Sequence, residues 1–264
     1  MKSILEFAAA KAAGRKISMT TCYDATFARA LEASAVDCLL VGDSAAMVMH
    51  GFPDTLAATV EMMAWHTAAV RRGAPTRFLI GDMPFLSFRK GVPAALDAAA
   101  ALMRAGAQAV KLEGVTGHED VITALVGSGV PVMGHLGLTP QSVHALAGFH
   151  VQGRTDDTAA RILADAKRCE ELGCFGLVLE CVPAPLAAQI TQSLRMPTIG
   201  VGAGPDCDGQ VLVLQDLLGL NSGFRPKFLR TYLDGMALVR DAVDRFDRDI
   251  KQGGFPGPAE SYDS

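Results

Sequence analysis

The sequence lacks the features that mark several large classes of protein. Its 264 residues contain no apolar run close to the ~20 residues that a membrane span requires. They also contain no long basic run of the kind that binds nucleic acid or an anionic membrane surface, and the formal net charge is −4. We therefore expect neither a membrane nor a nucleic acid as a partner.

Paired cysteines are absent as well. The six cysteines form no C-x-x-C pair, and none lies at zinc-ligand spacing from a histidine. Lys2, Glu6 and Lys11 interrupt the apolar stretch that an N-terminal signal peptide would need. The pattern predicts reduced, mostly buried thiols in a cytoplasmic protein.

The chain does contain enough apolar residues for a large hydrophobic core. Half of the residues are hydrophobic and 20% are charged. Such a composition argues against disorder, and the length suits one α/β barrel, which commonly takes ~250 residues.

Short apolar runs alternate with longer segments of helical character. Continuous rather than alternating apolar runs are typical of parallel strands that are buried on both faces. The expected strands are Ile17–Thr21, Cys38–Val41, Phe78–Ile80, Ala109–Leu112, Pro131–Met133, Gly176–Leu179, Thr198–Val201 and Val211–Leu214. The expected helices are Thr26–Ala33, Val60–Arg72, Pro93–Ala105, Glu119–Gly127, Asp157–Leu172 and Ala184–Leu194. Eight strands favour a closed (β/α)8 TIM barrel over an open sheet, although residues 211–219 also fit a helix.

The domain organisation predicted from this pattern is simple. We expect one barrel domain over residues 1–252, with an N-terminal helix, and an extended tail over 253–264. A long helix over about 224–251 carries many charges, which indicate a solvated face or a subunit contact. Gly106 and Gly173 are expected to end helices in the left-handed conformation. Met62, Met63 and Trp65 lie in a helical stretch and are expected to pack in the core.

Polar side chains follow five of the predicted strands. In a barrel, all carboxyl ends of strands meet at one rim, where active sites are built. The residues placed there are Asp43, Ser44, Asp82, Lys111, Glu113, His135 and Glu180.

Several of these residues also have a purely structural interpretation. Asp43 and Ser44 could cap the next helix, Asp82 could stabilise a turn, and Glu180 could cap a loop. His135 could be a core histidine with its hydrogen bonds satisfied.

Lys111 is harder to explain by packing alone. It lies within an apolar run, where an unpaired ammonium is costly to bury. A structural ion pair with Glu113, two positions along the chain, is the simplest alternative to a functional role.

Together, these residue types suit one kind of chemistry. Two or three carboxylates without a cysteine or histidine cluster favour a hard cation such as Mg²⁺. Mg²⁺ bound by an α-keto acid stabilises the enolate that forms when the adjacent carbon loses a proton. Lys111 could bind the substrate carboxylate or form a Schiff base, and Glu180 could be the general base. The glycines of residues 200–204 resemble a phosphate-binding loop only weakly.

Longer motifs give the chain a family resemblance. Residues 41–44, 66–74, 110–114, 134–142 (GHLGLTPQS), 178–183 and 200–210 (GVGAGPDCDGQ) resemble segments of ketopantoate hydroxymethyltransferases, in the order of that family. The resemblance covers nearly the whole chain.

The resemblance implies an activity and its reactants. The reaction would transfer a one-carbon unit from 5,10-methylenetetrahydrofolate to α-ketoisovalerate, giving ketopantoate. It also implies a large homo-oligomer, typically a decamer, and a barrel related to the phosphoenolpyruvate mutase and isocitrate lyase superfamily.

The same resemblance implies roles for the residues at the rim. Asp43 and Asp82 would bind Mg²⁺, and Glu113 would complete the metal site directly or through water. Asp43, Asp82, Ser44, Lys111 and His135 would surround the keto acid, and Glu180 would be the base.

Two segments depart from the family pattern. Residues 50–59 lack the usual histidine–aspartate pair after the glycine, and Cys22 stands where alanine is common. A Mg²⁺-dependent lyase or phosphonomutase is the alternative enzyme class, but no cysteine lies in a KKCGH-like segment. A barrel that binds a keto acid without catalysis is the alternative outside enzymes.

Overall fold

The computed structural model describes residues 1–221, 223 and 225–262. Eight parallel strands form a closed barrel in sequential order, and β8 pairs with β1. The strands are β1 (Ile17–Thr21), β2 (Cys38–Val41), β3 (Phe78–Asp82), β4 (Ala109–Glu113), β5 (Val132–Gly137), β6 (Gly176–Glu180), β7 (Thr198–Val201) and β8 (Gly209–Leu212). The predicted (β/α)8 barrel is therefore confirmed.

Helices precede, connect and follow the strands. They are α1 (Ile4–Ala12), α2 (Ala25–Glu32), α3 (Ala45–Val48), α4 (Val60–Gly73), α5 (Val92–Arg104), α6 (Glu119–Gly127), α7 (Asp156–Glu171), α8 (Ala184–Ser193), α9 (Leu214–Leu217) and α10 (Gly235–Lys251). Short 3₁₀ helices span Pro140–Ser142 and Pro258–Glu260. Residues 211–219, which fitted either a strand or a helix in the sequence, contain both the end of β8 and the whole of α9.

The sequence marks the ends of several helices. Asp24 accepts hydrogen bonds from the backbone N–H groups of Thr26 and Phe27 and so caps α2. Gly106 and Gly173, which follow α5 and α7, have φ values of 115° and 91°. Their positive φ confirms the predicted glycine caps, because other residues rarely adopt it.

The barrel interior is closed at its amino-terminal end by α1. Phe7 is fully buried, and its ring centroid lies 5.2 Å from that of Phe78, the first residue of β3, and 5.3 Å from that of Phe175, which directly precedes β6. Lys11 holds the helix in place by donating to Asp208 Oδ2 at 2.9 Å. A larger apolar cluster lies between the sheet and the surrounding helices.

The structure also bears on the state of the cysteines, on membrane-spanning helices and on the residues expected in the core. All six cysteines are free, and only Cys181 is not fully buried. No helix of the described part is long and apolar enough to cross a membrane. The core placement is right for Met63 but wrong for Trp65, whose side chain is 69% exposed because it lies on the outer face of α4.

The chain forms two compact units, Met1–Val213 and Leu214–Ser264. The first contains the whole barrel, and the second contains α9 and α10. The helix expected from residue 224 begins at Gly235, and residue 224 itself lies outside the described residues. The tail, expected to be extended, includes the 3₁₀ turn at Pro258–Glu260. One domain over residues 1–252 stays a prediction.

Candidate active site

Neighbouring strands bring the predicted polar residues together at the carboxyl-terminal rim. Asp82 of β3 is in register with Lys111 of β4, and Glu113 is in register with His135 of β5. Glu180 ends β6. Five of the seven residues are buried, and Ser44 and Glu180 are partly buried.

Lys111 pairs with Asp82 and not, as the structural alternative required, with Glu113. Its Nζ lies 2.8 Å from Asp82 Oδ1. Lys111 and Glu113 are two positions apart on β4, so their side chains point to the same side but are separated by the two-residue repeat of the strand. Asp82 lies directly opposite Lys111 on the neighbouring strand and is therefore closer. Burial opposes the charge of Lys111, but the carboxylates of Asp82, Glu113 and Asp43 outweigh it and raise its pKa. A protonated amine is no nucleophile, so this geometry disfavours a Schiff base.

His135 links the lysine to the candidate base. Its Nδ1 lies 3.2 Å from Lys111 Nζ, and its Nε2 lies 3.2 Å from Glu180 Oε2. Burial, and then the charge of Lys111, lower the pKa of His135 well below its usual value. A neutral ring that accepts at Nδ1 carries its proton on Nε2, which lies near Glu180 but makes no hydrogen bond in this structure. His135 is thus part of the polar network and not an isolated core histidine.

Gln141 joins two carboxylates of the rim, that of Asp43 in the loop after β2 and that of Glu113 in β4, although sequence reasoning did not single it out. Its Nε2 donates to Asp43 Oδ2 at 2.8 Å and to Met83 O at 2.9 Å. Its backbone N–H donates to Glu113 Oε2 at 3.0 Å. The residue lies within the GHLGLTPQS segment, so the motif contained it, but no local pattern assigns a glutamine to this contact.

Ser44 does not cap α3 with its side chain. Its hydroxyl instead lies 2.8 Å from the hydroxyl of the buried Tyr23. The capping interpretation of Ser44 is therefore wrong. The backbone N–H of the neighbouring Asp43 donates to Asp82 Oδ2 at 3.2 Å, which fixes the loop against the next strand.

Burial makes these carboxyl groups harder to ionise. It raises the pKa of Asp43 to about 7, with the charge of Asp82 adding to the effect. It also raises the pKa of Glu180 to about 7, and it raises that of Glu113 together with the charge of Asp43. A carboxylate with a pKa near neutrality is suited to proton transfer.

The backbone around Glu180 is tightly constrained. Cys181, the next residue, has a φ of 47°, which is unusual for a residue other than glycine. The carbonyl of Glu180 accepts from Leu138 N at 2.8 Å. Gly137 has a φ of 95°, and a Cβ there would overlap that carbonyl. The β5 and β6 ends therefore approach closely only because residue 137 is glycine.

The donor set fits a hard cation. Over residues 1–221, 223 and 225–262, no three His, Cys, Asp or Glu side chains are grouped as a complete metal site. Mg²⁺ does not need such a group, because one or two carboxylates with water and substrate oxygens suffice. Glu113 Oε1 is buried and has no hydrogen-bond partner, which is the state of an oxygen that a water or cation can satisfy.

A cavity of about 280 Å³ lies beside Glu113 on the same rim. Its lining residues are Phe85, Leu86, Arg89, Glu113, Gln141 and Ser142. Two of these lining residues, Glu113 and Gln141, also belong to the polar network described above.

Comparison with curated proteins identifies close relatives. Three, each named 3-methyl-2-oxobutanoate hydroxymethyltransferase, come from Bdellovibrio bacteriovorus, Coxiella burnetii and Francisella tularensis. The first is 54% identical over 99% of this chain and 100% of its own length. The second is 54% identical over 95% of both chains. The third is 48% identical over 100% of this chain and 99% of its own.

Solved structures of lower similarity share the fold. A phosphonopyruvate hydrolase in complex with oxalate and Mg²⁺ aligns with a TM-score of 0.65 at 13% identity, covering 98% of this chain and 93% of that one. A 2,3-dimethylmalate lyase of the phosphoenolpyruvate mutase and isocitrate lyase superfamily aligns with a TM-score of 0.63 at 19% identity, covering 97% and 90%. At these identities the likeness concerns the barrel alone.

The family model described as ketopantoate hydroxymethyltransferase matches residues 2–258, nearly the whole chain. Its span includes every residue of the polar network at the rim. This chain belongs to the ketopantoate hydroxymethyltransferase family and is a transferase of that type.

Proposed function

We propose that the enzyme transfers a one-carbon unit from 5,10-methylenetetrahydrofolate to α-ketoisovalerate (3-methyl-2-oxobutanoate), giving ketopantoate for pantothenate and coenzyme A synthesis. The observation that carries the proposal is the position of Glu180. It is a largely buried carboxylate with its pKa raised to about 7, and it faces the same rim as Lys111 and three further carboxylates. A general base beside a cation site is what enolate formation from an α-keto acid requires.

The residues at the rim divide into two groups. Asp43 and Asp82 would hold Mg²⁺, with Glu113 completing the site directly or through water. When bound, Mg²⁺ would polarise the keto oxygen and stabilise negative charge on it. Lys111 and Ser44 would bind the keto acid, since Lys111 remains protonated and the Ser44 hydroxyl is oriented by Tyr23.

Glu180 would remove the proton from the branched carbon of the keto acid. His135 Nε2 lies 3.2 Å from Glu180 Oε2 without a hydrogen bond of good geometry, and a small movement of either side chain would let its proton orient that carboxylate. The branched carbon then forms a bond to the methylene carbon of the donor, and the bonds from that carbon to the donor nitrogens break. One water supplies the hydroxyl group, so the products are tetrahydrofolate and ketopantoate, with no net oxidation or reduction.

Proton exchange at the branched carbon tests the first half of this reaction. The enzyme is incubated with α-ketoisovalerate in D₂O without folate, with and without Mg²⁺, and deuterium uptake is followed by NMR. We expect exchange that depends on Mg²⁺. Absence of exchange, with or without added folate, would favour the lyase or the non-catalytic barrel.

Two variants assign the roles within that assay. Glu180→Gln keeps the size of the side chain but removes the base, so exchange should fall by at least a hundredfold while the keto acid still binds. Asp82→Ala should weaken Mg²⁺ activation. Unchanged exchange in Glu180→Gln, or an unchanged Mg²⁺ requirement in Asp82→Ala, would contradict the assigned role.

We also propose that the protein forms a homo-oligomer, with a decamer as the expected size. Support comes from α10, where Met236, Val239, Val243, Phe246 and Ile250 recur at alternating spacings of three and four residues. Each of these side chains is between 43% and 58% exposed in the single chain. Such a stripe is typical of a helix that packs against another subunit. A cytoplasmic location stays a prediction.

A further inference from the structure

Two histidines contact each other outside the polar network at the rim. His50, in the loop after α3, and His66, on α4, face each other with their Nε2 atoms 2.9 Å apart. Their ring planes are inclined by 72°, and the ring centroids lie 5.2 Å apart. His50 is exposed and His66 is partly buried, so water and ions can reach the two nitrogens.

The environment of His66 fixes which of its nitrogens is available to a ligand. Its Nδ1 lies 2.6 Å from the backbone carbonyl oxygen of Tyr23, which can only accept, so Nδ1 carries the proton. In the neutral ring, Nε2 therefore presents a lone pair toward His50. A backbone carbonyl in this position is a common partner of metal-binding histidines, because it fixes both the tautomer and the direction of the ring.

We propose that His50 and His66 together bind a divalent transition-metal ion of the Zn²⁺ or Cu²⁺ type. Imidazole nitrogens suit these ions, whereas Mg²⁺ prefers oxygen ligands. The histidine–carboxylate contacts in the described part of the chain all belong to His135, so the pair offers nitrogen ligands without a carboxylate. The site is therefore distinct in its chemistry from the carboxylates at the rim, and it does not depend on the proposed reaction.

The geometry needs only a small adjustment to hold the ion. Zn²⁺ binds histidine nitrogens at about 2.0–2.1 Å, so two such nitrogens of a tetrahedral site stand about 3.3 Å apart. The observed 2.9 Å must widen by roughly 0.4 Å, a movement that the exposed side chain of His50 can supply. The His50 proton would move from Nε2 to Nδ1, which changes the tautomer with no net loss of a proton. Water would fill the remaining positions around the ion.

A bound ion would restrain the segment between α3 and α4. His50 lies at the start of that segment and His66 lies on the helix that follows it, so the ion would close residues 51–59 into a loop with both ends fixed. Tyr23, whose carbonyl holds His66, also contacts the Ser44 hydroxyl through its own hydroxyl at 2.8 Å. The ion would therefore stiffen the chain on both sides of α3 without contacting the carboxylates at the rim.

Equilibrium dialysis against Zn²⁺, at saturating Mg²⁺, tests the site. The unaltered protein should bind a Zn²⁺ whose affinity falls at least tenfold in His50→Gln, because losing a ligand costs no less than losing a group that orients one. His144→Gln is the matched control, since His144 is an exposed histidine outside the pair. His50 is exposed, so its substitution should leave the thermal unfolding of the metal-free protein unchanged.

Zn²⁺ that binds the carboxylates at the rim instead would bind equally in His50→Gln and in the unaltered protein, and that result would overturn the proposal. Hydrogen–deuterium exchange followed by mass spectrometry gives a second measurement. Zn²⁺ should slow the exchange of residues 51–59 in the unaltered protein and in His144→Gln, but not in His50→Gln. No slowing in the unaltered protein, or equal slowing in all three, would also contradict the site.

Discussion

At the scale of single residues, one ammonium group faces four carboxyl groups. Lys111 is neutralised by Asp82 at 2.8 Å, which leaves Asp43, Glu113 and Glu180 without a cationic partner of their own. Burial then raises the pKa of each of these three. The arrangement favours proton transfer and cation binding over simple ion pairing.

The raised pKa of Glu180 predicts the pH dependence of proton exchange. A base must be deprotonated to accept a proton, so the exchange rate should rise about tenfold per pH unit below pH 7 and level off above it. The measurement is the exchange rate against pH at saturating Mg²⁺, which would keep the proposed cation-binding carboxylates ionised. A profile that is already flat at pH 5 would show that the pKa of the base is not raised.

Gln141 should influence Mg²⁺ affinity without reacting itself. In Gln141→Leu, Asp43 Oδ2 and Met83 O lose their donor, so Asp43 is no longer held in position. Loss of such an orienting hydrogen bond typically costs ten- to a hundredfold in metal affinity. The Mg²⁺ concentration for half-maximal exchange should therefore rise by roughly tenfold.

Gln210→Leu provides the control for that substitution. Gln210 donates to Gly204 O, away from the carboxylates, so the same change of side chain should leave the Mg²⁺ response unaltered. If Gln141→Leu and the unaltered enzyme needed the same Mg²⁺ concentration for half-maximal exchange, Gln141 would not orient the site.

At the scale of secondary structure, β1, β2, β7 and α6 begin and end at the predicted residues. Continuous apolar runs define buried strands clearly. The strands that end in Asp82, Glu113 and Glu180 extend further than their apolar runs, because those charged residues still belong to the barrel ladder.

Contacts between elements could not be predicted in the same way. The partner of Lys111 depends on the register of β3 and β4, and the contacts of Gln141 depend on how the loop after β5 folds over the rim. Neither is encoded in the local pattern of residues. The same limit explains Trp65, because a helical period does not tell which face of α4 meets the sheet.

The amino-terminal helix α1 should contribute strongly to stability. Phe7→Ala removes a fully buried ring that contacts Phe78 and Phe175, and such a truncation costs about 3–5 kcal/mol of unfolding free energy. Urea unfolding followed by circular dichroism measures it. Leu5→Ala on the same helix is the control, since Leu5 is 76% exposed and should change stability by about 0.5 kcal/mol or less. Equal effects of the two would mean that α1 does not close the barrel in solution.

At the scale of the whole molecule, the apolar stripe of α10 predicts assembly. Val243→Asp places a charge where the side chain is 58% exposed in the single chain, so it should not disturb the folded chain but should weaken contacts between copies. Sedimentation velocity should show an oligomer for the unaltered protein and smaller species for this variant. Asp244→Asn, at the next position on the charged face of α10, is the control and should leave the assembly unchanged. The proposal would be contradicted if the unaltered protein sedimented as a monomer.

If the carboxylates at the rim hold Mg²⁺ as proposed, they also link folding to the concentration of divalent cations. Unfolding disperses these groups into water, so a cation that binds only when they are gathered shifts the folding equilibrium by mass action. At a hundred times its Kd, such a cation adds about 2.7 kcal/mol to the free energy of unfolding. The midpoint of thermal unfolding should therefore rise with Mg²⁺ and fall on addition of a chelator, so that the proposed Mg²⁺ would also stabilise the folded chain.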